Sequence, residues 1–313
     1  RHALANTTAT GPVVSALRAS GIRATLLVHE LPRLIREKHL TEGARAGISA
    51  AQTVVFPSPF VRDEVLATVG LEDDGRAVLR PQGIYKDLSA PVDAQERIRA
   101  EFGMAPEERL VLGIGYADMR KGFDVFLQLW RLLRWRGRRP VHLCWLGDMD
   151  PALEAWLGEE IAAARATGTF HLPGRRDDVG AFLRAADAYA LTSREDPFPS
   201  VALEAMAAGL PVVAFERSGG IPELLARTGA GTVVPYGDVT AMSEAIAAAI
   251  RPARDDAEQR RDAGMRRRLV ARHFGWRPYV RDLLHMAVPD LPSVSVAVPN
   301  YNYARYMPER LGS

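Results

Sequence analysis

Residues 188–215 read AYALTSREDPFPSVALEAMAAGLPVVAF. A short apolar run, AYALTS, passes through a Pro-Phe-Pro turn into an Ala-rich helix closed by Gly209, and a second apolar run, PVVAF, follows at once. Runs of this kind are apolar at every position rather than at alternate ones, so each strand is expected to be covered on both faces. Two such strands joined by a helix form one crossover unit of a parallel sheet. Of the carboxylates in this stretch, Asp196 and Glu204 stand on either side of the turn.

The alternation extends outward in both directions. ATLLVHE and TVVFPS read as strands, PFVRDEVLATVG as a helix closed by Gly70, and RAVLRPQGIY as a short strand and a turn. After Pro91 the predicted order is helix 93–102, strand RLVLGIG, helix 122–136, strand VHLCWLG, helix 151–166 and strand TFHLPG. It continues with a helix near 178–186, the stretch above with its helix over 200–208, helix 222–227, strand GTVVP and helix 238–250. Two long helical stretches, 254–273 and 276–287, are broken at FGW. The expected fold class is therefore α/β, with two Rossmann-like domains built on parallel sheets. Residues 1–90 form a partial first domain, 91–275 a complete second one, 276–290 a closing helix and 291–313 a linker with the start of something further. The chain opens on Arg1, and SVSVAVPNYNYARYMPERL begins a strand and turn with nothing after it, so a piece of a longer protein is expected.

Composition excludes several classes. A net charge of +2 over 313 residues makes no field for nucleic acid. Lysine occurs only at Lys38, Lys86 and Lys121. One cysteine, Cys144 within VHLCWLG, can form no intrachain disulfide, and a reducing cytoplasm is the expected compartment. No apolar run approaches the roughly 18 residues of a membrane span.

In open parallel sheets ligands bind outside the carboxyl ends of the strands, which selects a few loops. In TSREDPFPS, Pro199 begins a helix, so the amides of Ser200 and Val201 point out of its start with no intrahelical acceptor. Such an end suits a phosphate, and the alternative is a solvated helix end. Asp196 and Glu204 would repel a phosphate but suit paired hydroxyls of a sugar or ribose, because an ionised carboxylate only accepts hydrogen bonds. In GIGYADMRKG (113–122), Arg120 and Lys121 supply charge for a diphosphate, the alternative being a solvated basic turn. GIGYAD lacks the third glycine of a dinucleotide fingerprint, which counts against an oxidoreductase. Asp148-x-Asp150 precedes Pro151 and reads as helix capping, so no metal site is expected there. His29 ends the strand of TLLVHELP, where it is either structural or a site residue.

Together these residues resemble the retaining family-4 glycosyltransferases of the GT-B fold. SREDPFPSVALEAMAAGLPVVAF, with Gly219 and Gly220 beyond it, resembles their E-x7-E signature, with Asp196 in the first acidic place and seven residues before Glu204. GYADMRKGFDVF is similar to the family's diphosphate loop, HLPG to its nucleobase-side loop, VHELP to the acceptor-side loop with its histidine, and PQGIY to the interdomain turn. The resemblance covers about residues 1–287. It implies a sugar transferred with retention, without a metal or other cofactor, from a nucleoside-diphospho-sugar of UDP or GDP type to a glycan or lipid-linked acceptor. His29, Asp196 and Lys121 would be the catalytic residues. Gly115, Arg120, Lys121, Gly174, Arg175, Asp196, Phe198, Pro199, Ser200, Val201 and Glu204 would bind the donor, with Asp196 on its sugar and Glu204 on its ribose. Three departures stand out: Tyr116 replaces the usual Arg, Pro199 a usual Gly, and Asp196 the usual Glu. The tail separately resembles the opening of a family-2, GT-A glycosyltransferase domain. Peripheral membrane association of a longer parent protein is a further expectation. A sugar-nucleotide epimerase or hydrolase, and a non-catalytic nucleotide-binding module, remain alternatives.

Overall fold

The computed structural model describes residues 1–134, 140–251, 256–287 and 295–297. It divides into two units, one of Arg1–Pro81 with the chain from Tyr279 onward, the other of Gln82–Pro278.

The first unit starts with β1 (His2–Asn6), α1 (Gly11–Ala19), β2 (Arg23–Leu27), α2 (Pro32–Glu37) and α3 (Thr41–Ala50). It continues with β3 (Thr53–Phe56), α4 (Pro59–Val69) and β4 (Ala77–Leu79). The strands pair in parallel in the order β1-β2-β3-β4. α4 shows how the local code works. Ser58 caps its start by accepting from Val61 N at 3.2 Å, Pro59 stands in the first turn, and Gly70 ends it in the left-handed region at φ 66°. β1 and α1 to α3 were absent from the sequence-based reading. HALAN is short and buries only alternate alanines, and α1 and α3 approach each other too closely for a strong apolar stripe. A Cβ on Gly11 would stand 1.8 Å from Gly43 O, and one on Gly47 2.5 Å from Gly11 Cα.

The second unit opens with α5 (Ala94–Glu101), β5 (Arg109–Ile114), α6 (Phe123–Leu133), β6 (Val141–Leu146), α7 (Pro151–Arg165) and β7 (Phe170–Gly174). Then come α8 (Val179–Ala185), β8 (Ala188–Leu191), α9 (Ser200–Ala208), β9 (Val212–Phe215), α10 (Gly220–Thr228), β10 (Gly231–Val234), α11 (Val239–Ala249) and α12 (Asp256–His273). Six parallel strands lie in the order β10-β9-β8-β5-β6-β7. This is the doubly wound order, and it reverses between β5 and β8. Every residue of β6 and β8 is buried, as strands covered on both faces require. One face is sealed by Phe123, Phe126 and Trp130 of α6 against Trp145 and Phe170. Full burial of each such ring contributes roughly 1.5–3 kcal/mol.

Residues 82–90 go with the second unit because Ile84, Leu88 and Ala90 pack on its core and Ile84 N donates to Phe274 O. A helix α13 (Trp276–Ala287) follows Gly275; from Tyr279 on it belongs to the first unit, where Tyr279 and Leu283 pack on Leu27 and Val55. Arg80 ties β4 to this helix through Asp282 at 2.9 Å. The strand expected near the end is β11 (Ser295–Ala297), paired in parallel with β1. The rest of the segment that resembles a GT-A opening, 298–313, lies outside the described residues, as does the end of the helix expected over 122–136.

Candidate functional site

The carboxyl ends of β5 and β8 stand side by side at the reversal point of the second sheet, and their loops hold most of the predicted residues. The loop after β5 is held close to its neighbours by glycine. Gly115 has φ 147°, and a Cβ there would press on the Lys121 side chain at 3.3 Å. Gly122 starts α6 in the left-handed region at φ 72°, where a Cβ would stand 2.1 Å from Thr192 O. The two loops therefore touch through backbone, and only glycine permits it.

Side chains finish the joint. Lys121 Nζ donates to Asp196 Oδ2 at 2.5 Å, and Ser193 Oγ donates to the same oxygen at 3.3 Å. Arg120 donates to Glu195 O at 3.1 Å and lies 3.9 Å from both Asp196 and Asp118. Arg194 N donates to Arg120 O at 2.8 Å, while the Arg194 guanidinium forks onto Asp124 through two bonds of 2.8 Å. That fork holds the Arg194 pKa above its usual value. The third loop, after β9, joins at Gly219, whose missing Cβ would stand 1.8 Å from Asp196 O. Asp196 N donates to Ser218 O at 2.7 Å.

α9 starts between these loops. Pro199 occupies its N-cap, one position earlier than the sequence suggested, and no side chain caps the end. Ser200 and Val201, the first two helical residues, are partly exposed. Glu204, one turn further, is fully buried, and neither carboxylate oxygen has a hydrogen-bond partner. Burial pushes its pKa up; the nearby Lys86 ammonium and Ser200 hydroxyl pull it down.

The remaining predicted residues lie elsewhere. Phe198, expected at the donor, turns its ring into the core, 6% exposed and 6.0 Å from Phe274. The Phe198 carbonyl accepts from Gln82 Nε2 at 2.7 Å. Gly174, at φ 73°, and the exposed Arg175 end β7, two strands from β5 and so about 10 Å along the sheet edge. His29 follows β2 in the first unit, partly buried. Burial lowers its pKa and Glu30 opposes that. Glu30, which the sequence reading passed over, is 6% exposed and accepts from Thr8 N and His29 N, each at 3.1 Å.

Asp150 accepts from Ala152 N and Leu153 N at the start of α7, so of the Asp148-x-Asp150 pair Asp150 is the helix cap. Among the described residues no group of three or more His, Cys, Asp or Glu is arranged to hold a metal. Sequence reasoning also missed Lys86, Gln82 and Asp124. PQGIY reads as a turn, but nothing in its local pattern points toward α9.

The chain is similar to known proteins over most of its length. The family described as glycosyl transferases group 1 matches residues 94–268. A D-inositol 3-phosphate glycosyltransferase of Paenarthrobacter aurescens is 27% identical over 284 residues, covering 84% of this chain and 67% of that protein. Sucrose-phosphate synthase from Thermosynechococcus elongatus superposes with a TM-score of 0.73 at 23% identity, over 90% of this chain and 71% of its own. Anabaena HepE in complex with UDP and glucose gives 0.75 at 19% identity, over 92% and 78%. At such identities the two structures show the shared fold alone. The chain spans 56% to 67% of the length of the first curated relatives it matches. With a doubly wound second sheet, acids and cations gathered at its reversal point, and a matching family profile over more than half its length, the chain belongs to the glycosyl transferases group 1 family, within the GT-B fold.

Proposed function

We propose that this protein transfers a sugar from a nucleoside-diphospho-sugar, of UDP or GDP type, to a glycan or lipid-linked acceptor, with retention and without a metal. The observation that carries the reading is Glu204: a fully buried carboxylate with no hydrogen-bond donor, beside an uncapped helix start and one loop from two cations. A buried carboxylate without donors is costly unless a ligand supplies them, and paired ribose hydroxyls do so. Crystallised HepE binds UDP and glucose, which supports a uridine donor for a chain of the same fold.

In the reaction the bond from the anomeric carbon to the diphosphate oxygen breaks, and an acceptor hydroxyl oxygen bonds to that carbon on the same face. The hydroxyl gives up its proton to the departing diphosphate, and negative charge grows on that leaving group as the old bond lengthens. Lys121, Arg120 and the amides of Ser200 and Val201 stabilise that charge where it develops. Asp196 faces the donor sugar, Glu204 the ribose, and Gly174 and Arg175 the base side. His29, in the first unit, is the third residue assigned to catalysis. The relatives named for D-inositol 3-phosphate add a phosphorylated polyol to the acceptors worth testing. No helix among the described residues is long and apolar enough to cross a membrane. Peripheral membrane attachment and a following GT-A domain are proposals for the longer protein.

Calorimetric titration with UDP-, GDP-, ADP- and dTDP-sugars, with and without EDTA, tests the donor claim. We expect binding of a UDP- or GDP-sugar that EDTA leaves unchanged. Binding of none by folded protein overturns the donor site, and loss in EDTA overturns metal independence. A donor isomerised or hydrolysed but never transferred by the full-length protein favours the epimerase or hydrolase alternative.

A further inference from the structure

Glu204 is surrounded by groups that do not bond to it. Ser200, one turn earlier on α9, brings its hydroxyl near enough to favour the anion without meeting bonding geometry. Tyr189 of β8 is buried close by; burial, then Asp196 and Glu204, raise the pKa of its phenol. Lys121, in the loop after β5, is engaged by Asp196. Lys86 alone among the groups acting on Glu204 brings positive charge: its Nζ stands 3.8 Å from Glu204 Oε1. Its side chain is 39% exposed, whereas that of Glu204 is 0% exposed. At this distance the ammonium attracts the carboxylate but is too far for a hydrogen bond, so it occupies none of the lone pairs.

We propose that Lys86 is a positioning residue for the donor, holding the Glu204 carboxylate charged and oriented from the surface while leaving both oxygens open to paired hydroxyls of the bound nucleotide. The proposal rests on the donor-site reading above. The ammonium opposes the burial that pushes this carboxyl toward its neutral form. A direct donor such as a backbone amide would also stabilise the anion, but it would compete with the ligand for the same oxygens. A cation held at a distance does not compete.

The sign of the effect follows from charge. Without Lys86, burial acts on Glu204 with less opposition, its proton is lost only at higher pH, and the acid-side fall in donor affinity moves toward neutrality. The test is calorimetric titration of the whole chain with UDP and with GDP from about pH 5 to 9, for wild type, Lys86→Met, Lys86→Arg, Glu204→Gln and the Lys86→Met/Glu204→Gln double variant. Circular dichroism checks the fold of each. We expect the acid-side midpoint in Lys86→Met to rise by about one pH unit and Lys86→Arg to restore it. Glu204→Gln should bind weakly with a flat profile, and adding Lys86→Met to it should change nothing. A Lys86→Met profile matching wild type, a Lys86→Arg variant behaving like Lys86→Met, or a further loss in the double variant overturns the Lys86 proposal while leaving the donor site intact. If folded wild type binds neither nucleotide at any pH, the donor-site reading fails and this proposal falls with it.

Discussion

Lys121 and Asp196, 75 residues apart in the chain, meet at 2.5 Å and join the loop after β5 to the loop after β8. The pair sits where the strand order reverses, so one contact joins the two loops on which the proposed donor site is built. A diphosphate arriving there competes with Asp196 for the same ammonium. Asp196→Asn should therefore bind UDP at least as tightly as wild type, yet lose transfer by about tenfold because a charge-assisted bond to the sugar is gone. Titration with UDP and initial rates with the UDP-sugar separate the two effects.

Lys121→Ala should lower kcat/KM by about a hundredfold or more, since charge on the leaving diphosphate loses a preorganised cation. A loss confined to KM would show that Lys121 binds the ground state only. Steady-state kinetics over a range of donor concentrations distinguishes these outcomes.

Arg194 braces the phosphate loop through its fork onto Asp124 and its bond to Met119 O at 2.6 Å. Arg194→Lys keeps the charge but cannot reproduce the fork. We expect thermal unfolding a few degrees lower, from a loss of about 1 kcal/mol, together with a raised donor KM. Scanning calorimetry and donor kinetics measure both.

Gly122→Ala tests the contact between the loops. The new Cβ would fall 2.1 Å from Thr192 O on a backbone at φ 72°, so it must either push the loops apart or unwind the start of α6. A loss of about 2 kcal/mol or more in urea unfolding is expected, with donor binding lost in parallel.

Acid should weaken the second unit through a partly buried chain of three groups. His142 lies 2.9 Å from His171 and 3.1 Å from Glu108, and Phe102 stacks on His171 with centroids 3.9 Å apart. Burial, then the neighbouring His142, lowers the His171 pKa to about 4; burial also lowers that of His142, against the pull of Glu108. The unfolded chain therefore takes up protons near pH 6.5 that the folded chain refuses until about pH 4. Stability is complete above the unfolded value and falls as pH drops through this window, by about 2 kcal/mol for partly exposed His171. Urea titrations at roughly pH 7 and 5 measure the fall, which His171→Gln should flatten.

The sequence by itself determined the α/β alternation, because a strand covered on both faces must be apolar throughout and helices need Pro, Asp and Gly at their ends. It also identified the loops of Lys121 and Asp196, since the chemistry at strand ends is written in a few contiguous residues. β1 escaped it because a five-residue strand that buries two alanines has no local signature. Phe198 was assigned to the donor because residue type does not reveal which way a ring turns between two prolines. Tertiary structure alone decided the strand order, the inward turn of Phe198 toward Phe274, the Arg194–Asp124 fork across 70 residues and the approach of Lys86 to Glu204. Periodicity reports only on neighbours within a turn or a pleat, whereas these contacts depend on which strands lie side by side.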